Sequence, residues 1–314
     1  MDMNVPQDPV IRHTKKRGLL KRILFHWQSY ILILPALLTT GIFHYYPFYG
    51  IQIAFKNFKN SRGIWGSSWV GLKHFKSMID TMDMSVIWNT LSISFYSIAV
   101  FPCAVIFALM LNEVRNLKFK KAVQMVSYAP HFISAVVMVS MIQCFFQRSN
   151  GLVNNVIVLL GGERVDFLNI PQYFASMYVW SGVWQNVGWD AIVYIAALAG
   201  VSSDQIEAAK IDGANRLQVV WHVNVPHILP TIVTLLIMRT GSVLSVGFEK
   251  IFLMQTPLNL EASRVLSTYV YEMGIQKGRL DYATAVGLFN NLVNVAMLLI
   301  VNTISKKLAE TSIF

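Results

Sequence analysis

Six blocks of largely apolar residues, near 30–50, 86–112, 121–147, 172–199, 225–253 and 281–304, set the terms on which this chain can fold. Crossing about 30 Å of hydrocarbon takes about 20 residues of helix, and each block reaches that length. Of the 314 residues, 54% are hydrophobic and only 13% are charged, against about 25% charged in a soluble domain. The charges lie between the blocks. The chain therefore reads as an all-α integral membrane protein with six transmembrane helices, and no gap is long enough to hold a soluble domain.

This reading divides the chain into a basic tail (1–28), a six-span domain (29–306) and a short C-terminal tail (307–314). The first tail carries Arg12, Lys15, Lys16, Arg17, Lys21 and Arg22. It fits either an amphipathic helix on the inner leaflet or a segment that only holds orientation. With both termini inside, cytoplasmic segments hold more Lys and Arg than outer loops, a small bias in the expected direction. The net charge of +10 is spread over short loops, so it serves orientation and contact with lipid headgroups, and no nucleic-acid partner is expected. The first block runs on past signal-peptide length without a cleavage pattern. Cys103 and Cys144 sit inside apolar blocks without ligand spacing, as small buried hydrophobes, and no disulfide or metal site is expected. Between the third and fourth blocks, GLVNNVIVLLGG is too short to span and reads as a short helix ended by Gly161 and Gly162.

The most informative stretch is 202–226, SSDQIEAAKIDGANRLQVVWHVNVP, between the fourth and fifth blocks. Ser202 and Ser203 are N-cap candidates, and Asp204 and Glu207 place negative charge in the first turn. Ala208 and Ala209 leave room for close approach. Gly213 supplies the positive φ that ends a helix, and a short second helix is expected from about Ala214 to Val220.

Glu207-Ala208-Ala209, three residues, Gly213, nine residues, then Val223-Asn224-Val225-Pro226 resembles the EAA loop of binding-protein-dependent ABC importer permeases. The family pattern closes on Ile-x-Leu-Pro, and Val223 and Val225 are apolar departures from it. The resemblance covers the whole chain and is nearest to the carbohydrate branch, whose permeases take up oligosaccharides or polysaccharide fragments. It implies the type I importer permease fold with a cytoplasmic coupling helix. It also implies a second homologous permease, an ABC ATPase dimer and an extracytoplasmic solute-binding protein. This chain then needs no cofactor or metal, since ATP and magnesium belong to the ATPase, and it is not itself an enzyme. Glu207 would pair with a basic group on the ATPase, with Ala208, Ala209, Asp212 and Gly213 completing the contact.

Polar groups inside spans are candidates for a solute path, because they are costly there. On the fourth span Gly182, Gln185, Asn186, Trp189 and Asp190 recur at three- and four-residue steps, mixing small, amide and aromatic groups suited to a saccharide. Trp180 and Trp184 suit that path or an interfacial belt equally. His131, beside Pro130, reads as a satisfied packing residue. Counting outward from Glu207 to the sugar contacts of maltose-type permeases gives Gly182, Asn186 and Trp189, then Arg239, Ser242, Val243 and Val246. Arg239 suits a carboxylate if it faces a wet cavity, which points to an acidic cargo; pairing with Asp190 or Glu249 is the alternative. Lys250 falls inside the fifth block without an assigned role. Rival readings are a permease for a non-sugar solute such as a peptide, and an ion-coupled secondary transporter, which would leave the EAA loop unexplained. No P-loop, HExxH or GxSxG pattern is present.

Overall fold

The computed structural model describes Phe25, residues 27–241, Leu244 and residues 246–309. The basic residues from Arg12 to Arg22, and Ser242 and Val243, lie outside the described residues. The chain divides into two compact units at Gln52/Ile53. In the first, α1 (Trp27–Thr40) continues through a wide turn (Gly41–Tyr45) into a tight 3-10 stretch (Tyr46–Phe55). The wide turn precedes Pro47, which has no N–H to return to the preceding turn.

The second unit is helical, with one isolated β-bridge, Lys56 to Trp69, among its described residues. Helix α2 (Lys73–Thr81) leads to α3 (Met84–Ala99), whose N-cap Asp83 accepts a bond from the Ser85 N–H at 3.0 Å. Pro102 opens α4 (Pro102–Asn112), so one apolar run of 29 residues is broken only at Val100–Phe101. Asn116 caps α5 (Leu117–Tyr128), and Pro130 lies in a 3-10 turn before α6 (Ala135–Phe146). The two halves of this third segment bend by 104°, so the expected straight span at 121–147 is a broken one. The short helix α7 (Leu152–Leu159) forms where expected, and Gly161 closes it at φ +85°.

Helix α8 (Pro171–Leu198) is 28 residues long. Four helical runs among the described residues are both long and apolar enough to cross a membrane: 27–55, 84–112, 216–240 and 280–304; the bent pair adds a fifth. Helix α8 has the length, but its polar stripe lowers its hydropathy. It is followed by α9 (Ser203–Ile211), α10 (Arg216–Val219), a wide turn (Val220–Asn224) before Pro226, and α11 (Val225–Thr240). The expected short second helix at 214–220 is thus the first turn of the fifth span.

That span stops at Thr240 rather than 253. Gly241, Leu244, Val246 and Gly247 are not helical, and α12 (Phe248–Met254) starts afresh. The Leu244 N–H freed there donates to Asn294 Oδ1 at 2.9 Å. Irregular backbone at membrane depth persists only when its polar groups are met in this way. A short helix, α13 (Leu266–Tyr271), leads to the last helix, α14 (Leu280–Ala309). Cys144 is exposed, contrary to the buried reading, while Cys103 is half-buried.

One contact fixes how α8 lies on α5. A Cβ at Gly188 would sit 2.3 Å from the Ser127 carbonyl oxygen, so only glycine admits the crossing. Gly188→Ala is expected to cost about 1–3 kcal/mol as overpacking. Gly287→Ala, where a Cβ meets nothing within 4 Å, is expected to be neutral or to stabilise by up to about 1 kcal/mol. Thermal unfolding of the two purified variants in one detergent tests this opposition of sign.

Candidate functional site

Two features stand out, a polar cavity at the middle of α8 and the exposed loop that follows it. The cavity measures about 190 Å³ and lies where the α3–α4 break, α8 and the stretch around the end of α11 converge. Gly182, Gln185, Asn186, Asp190, Arg239 and Lys250 line it. Five of these are residues singled out from the sequence.

The first four come from α8 because steps of three and four residues stack side chains on one helix face. Arg239 arrives from the last turn of α11. Its Nη1 lies 3.7 Å from Asp190 Oδ2, and its guanidinium stands 5.9 Å from the Phe101 ring centre. Of the readings open for Arg239, pairing with Asp190 is the one realised; Glu249 is exposed and in no ion pair among the described residues.

The amides are partly engaged. Gln185 Nε2 donates to the Ile133 carbonyl at 2.7 Å, and Asn186 Nδ2 donates to the Gly182 carbonyl at 3.0 Å. Asn186 Oδ1 lies 2.9 Å from His131 Nδ1. The His131 ring stacks on Trp189 at 4.3 Å and 3°, with Phe132 edge-on to the same indole. His131 is therefore a satisfied packing residue, as expected, and its partners are path candidates. Trp189 belongs to this stack rather than to the cavity lining.

Val246 packs with the apolar cluster around Phe174 and Ile251, away from the lining. Trp180 and Trp184 line a separate apolar groove, where Trp180 Nε1 donates to the Tyr96 hydroxyl at 2.8 Å. The residue that sequence reasoning left out is Lys250. Its Nζ donates to the Tyr178 carbonyl at 3.0 Å and lies 4.9 Å from the Tyr178 ring centre. The signal was there, a base inside an apolar block, but the end of the helix at Thr240, before it, was not.

The loop folds as its residue types dictate. Ser202 Oγ accepts from the Asp204 N–H at 3.2 Å and caps α9. At the other end the Ala214 N–H reaches the Ala209 carbonyl and the Gly213 N–H the Lys210 carbonyl, with Gly213 at φ +84°. These are the paired bonds of a glycine-terminated helix. Asn215 and Gln218 then exchange bonds of 2.9 and 2.7 Å in a capping box that starts α10. Glu207, Ala208, Asp212 and Gly213 are exposed and Ala209 is half-buried. Ile211 is 86% and Leu217 71% exposed. Two large apolar side chains are thus held out on a capped polar loop. No group of three or more potential metal ligands exists among the described residues.

The chain belongs to the family of binding-protein-dependent transport system inner membrane components, whose model it matches over residues 100–310. It is a membrane permease subunit of an ABC transport system, without catalysis of its own. Over 307 residues it is 38% identical to the polygalacturonan/rhamnogalacturonan transport system permease protein YteP of Bacillus subtilis (strain 168), covering 97% of this chain and 96% of the relative. Protein LplB of the same organism is 40% identical over 287 residues, 91% of this chain and 90% of that one. Among solved structures, a chain of a bacterial ABC transporter involved in the import of the acidic polysaccharide alginate matches with a TM-score of 0.86 and 38% identity. The match covers 93% of this chain and all of that one. A second, from the alginate transporter in complex with alginate pentasaccharide-bound periplasmic protein, gives 0.86 at 37% identity over 95% of this chain.

With Asp190 and Arg239 both over a third exposed to the cavity, their pair falls between the exposed and buried limits, and breaking it is expected to cost about 1–2 kcal/mol. Arg239→Gln should lower the melting temperature of the purified protein, and adding Asp190→Asn should recover part of the loss. An unchanged melting temperature in Arg239→Gln would show the pair to be idle.

Proposed function

We propose that this chain is one of two homologous permease subunits of a type I importer that passes an acidic oligosaccharide or polysaccharide fragment into the cytoplasm. A solute-binding protein delivers the cargo from outside, and an ATPase dimer holding ATP and magnesium supplies the work. The cavity on α8 is part of the solute path, and 202–226 is the loop that takes up motion from the ATPase. The observation that carries this reading is the conjunction of a polar, charged cavity at mid-span with an exposed, doubly capped helix α9 at the end of the same helix. The named cargoes of the relatives, a polygalacturonan and alginate, support a saccharide, and the acidic one supports a charged saccharide.

In this reading Glu207 pairs with a basic group on the ATPase, Ile211 and Leu217 dock into its groove, and Ala208 and Ala209 permit the approach. Gly213 holds the left-handed turn, which costs another residue about 1–2 kcal/mol. Glu207→Arg and Gly213→Leu are expected to abolish transport and release the ATPase while leaving the permease inserted and folded. Copurification from mild detergent followed by mass spectrometry identifies the partner subunits, and ATP hydrolysis in the reconstituted complex reads the coupling. Full substrate-stimulated hydrolysis in either variant would refute the role given to the loop.

The same reading puts both termini in the cytoplasm. In a background lacking Cys103 and Cys144, a single cysteine at Ala214 should react only from inside and one at Lys73 only from outside. Reaction of both from one side contradicts the topology.

A further inference from the structure

The ionisable side chains lining the cavity are Asp190, Arg239 and Lys250, together with Tyr178 and Cys103. Asp190 and Arg239 offset one another across 3.7 Å. No carboxylate lies within ion-pair distance of Lys250 among the described residues. Its contacts are a carbonyl and a ring face, both of Tyr178. Among the described residues the cavity thus carries one uncompensated positive charge, that of Lys250.

We propose that Lys250, and not Arg239, is the residue that receives a carboxylate of the cargo. The inference rests on the reading of the cargo as an acidic saccharide and names the group that selects for it. A lysine at membrane depth is costly unless it faces water or a counter-charge, and no acid stands within ion-pair distance of this one among the described residues. One ammonium N–H is held by the Tyr178 carbonyl, which fixes the direction of the group, and its other two donors remain for a ligand. The neighbouring position on α8 is Gly182, where even a Cβ would lie 3.7 Å from Nζ. Space beside the ammonium is open because that residue has no side chain. Lys250 sits level with Tyr178 and Gly182, and Arg239 level with Asp190, two helical turns further on. At about 1.5 Å per residue, the eight residues from Gly182 to Asp190 separate the levels by roughly 12 Å. A carboxylated sugar entering past Tyr178 meets the uncompensated charge before the compensated one.

The test compares a uronate pentasaccharide with the same pentasaccharide methyl-esterified at every carboxylate. Binding of each to the solubilised permease–ATPase complex, without the solute-binding protein, reads the cavity alone. Loss of a charge-assisted contact should weaken uronate binding by Lys250→Gln about tenfold or more and leave the ester within about twofold. Lys250→Arg should restore most of the uronate affinity, and the melting temperature of Lys250→Gln should stay near wild type, since glutamine can keep the bond to the Tyr178 carbonyl. Equal uronate binding by wild type and Lys250→Gln, or equal loss of uronate and ester, overturns the inference. So does a wild-type complex without affinity for the uronate that still imports it in proteoliposomes. A wild-type importer that does not take up the uronate at all overturns the reading of the cargo itself, and the inference with it.

Discussion

The contact between Gly188 and the Ser127 carbonyl governs the middle of the molecule. Two helices can approach this closely only where one presents bare backbone. Once α8 lies on α5 at that depth, the 3-10 turn at Ala129–Phe132 comes within reach of the next turns of α8. Gln185 then meets the carbonyl of Ile133, Asn186 meets His131, and the imidazole lies flat on Trp189. The 104° bend in the third segment is thereby held by side chains rather than by the broken backbone itself. The face of α8 left over, from Gly182 to Asp190, becomes a cavity wall. A methyl group at residue 188 would push the whole arrangement apart.

The loop at 202–226 was legible almost to the residue, and the reason is local. Ser202, Gly213, Asn215 and Gln218 act through bonds spanning two to five positions, so their spacing is their structure. The polar stripe of α8 was legible for a similar reason, since helical periodicity alone collects Gly182, Gln185, Asn186 and Asp190 on one side. What the sequence did not disclose depends on contacts between distant segments. The fifth block reads as continuous to 253 because Leu244 and Val246 are apolar. The chain leaves the helix after Thr240, and Asn294, fifty residues on, accepts the Leu244 N–H. Lys250 followed from that break, so its inward direction was hidden with it. Val246 was misplaced by the same cause, since counting along an unbroken helix carries it to the wrong wall.

The charges show a division of labour that counting could not supply. Arg239 looked like the group for an anionic ligand because an arginine at membrane depth needs an explanation. Asp190, two helical turns from Gly182 on the neighbouring element, is that explanation. The explanation does not reach Lys250, which is further along the chain and pairs with no acid among the described residues. Two bases eleven positions apart in the sequence thus do different work, one closing α11 onto α8 and the other facing open space.

The hydrogen-bonded helix that leaves the loop does not end at the membrane surface. From the capping box at Asn215 it runs through the wide turn at 220–224 and on to Thr240, 25 residues counted from Arg216. At about 1.5 Å per residue this is a rod of roughly 37 Å. One end carries the exposed loop and the other carries Arg239. Tilting such a rod by about 10° about its base sweeps its far end through about 6 Å. On the reading proposed above, the ion pair at 3.7 Å lies at the tip of a lever whose base is the loop, and the length of the arm turns a small rotation there into a displacement large enough to part it.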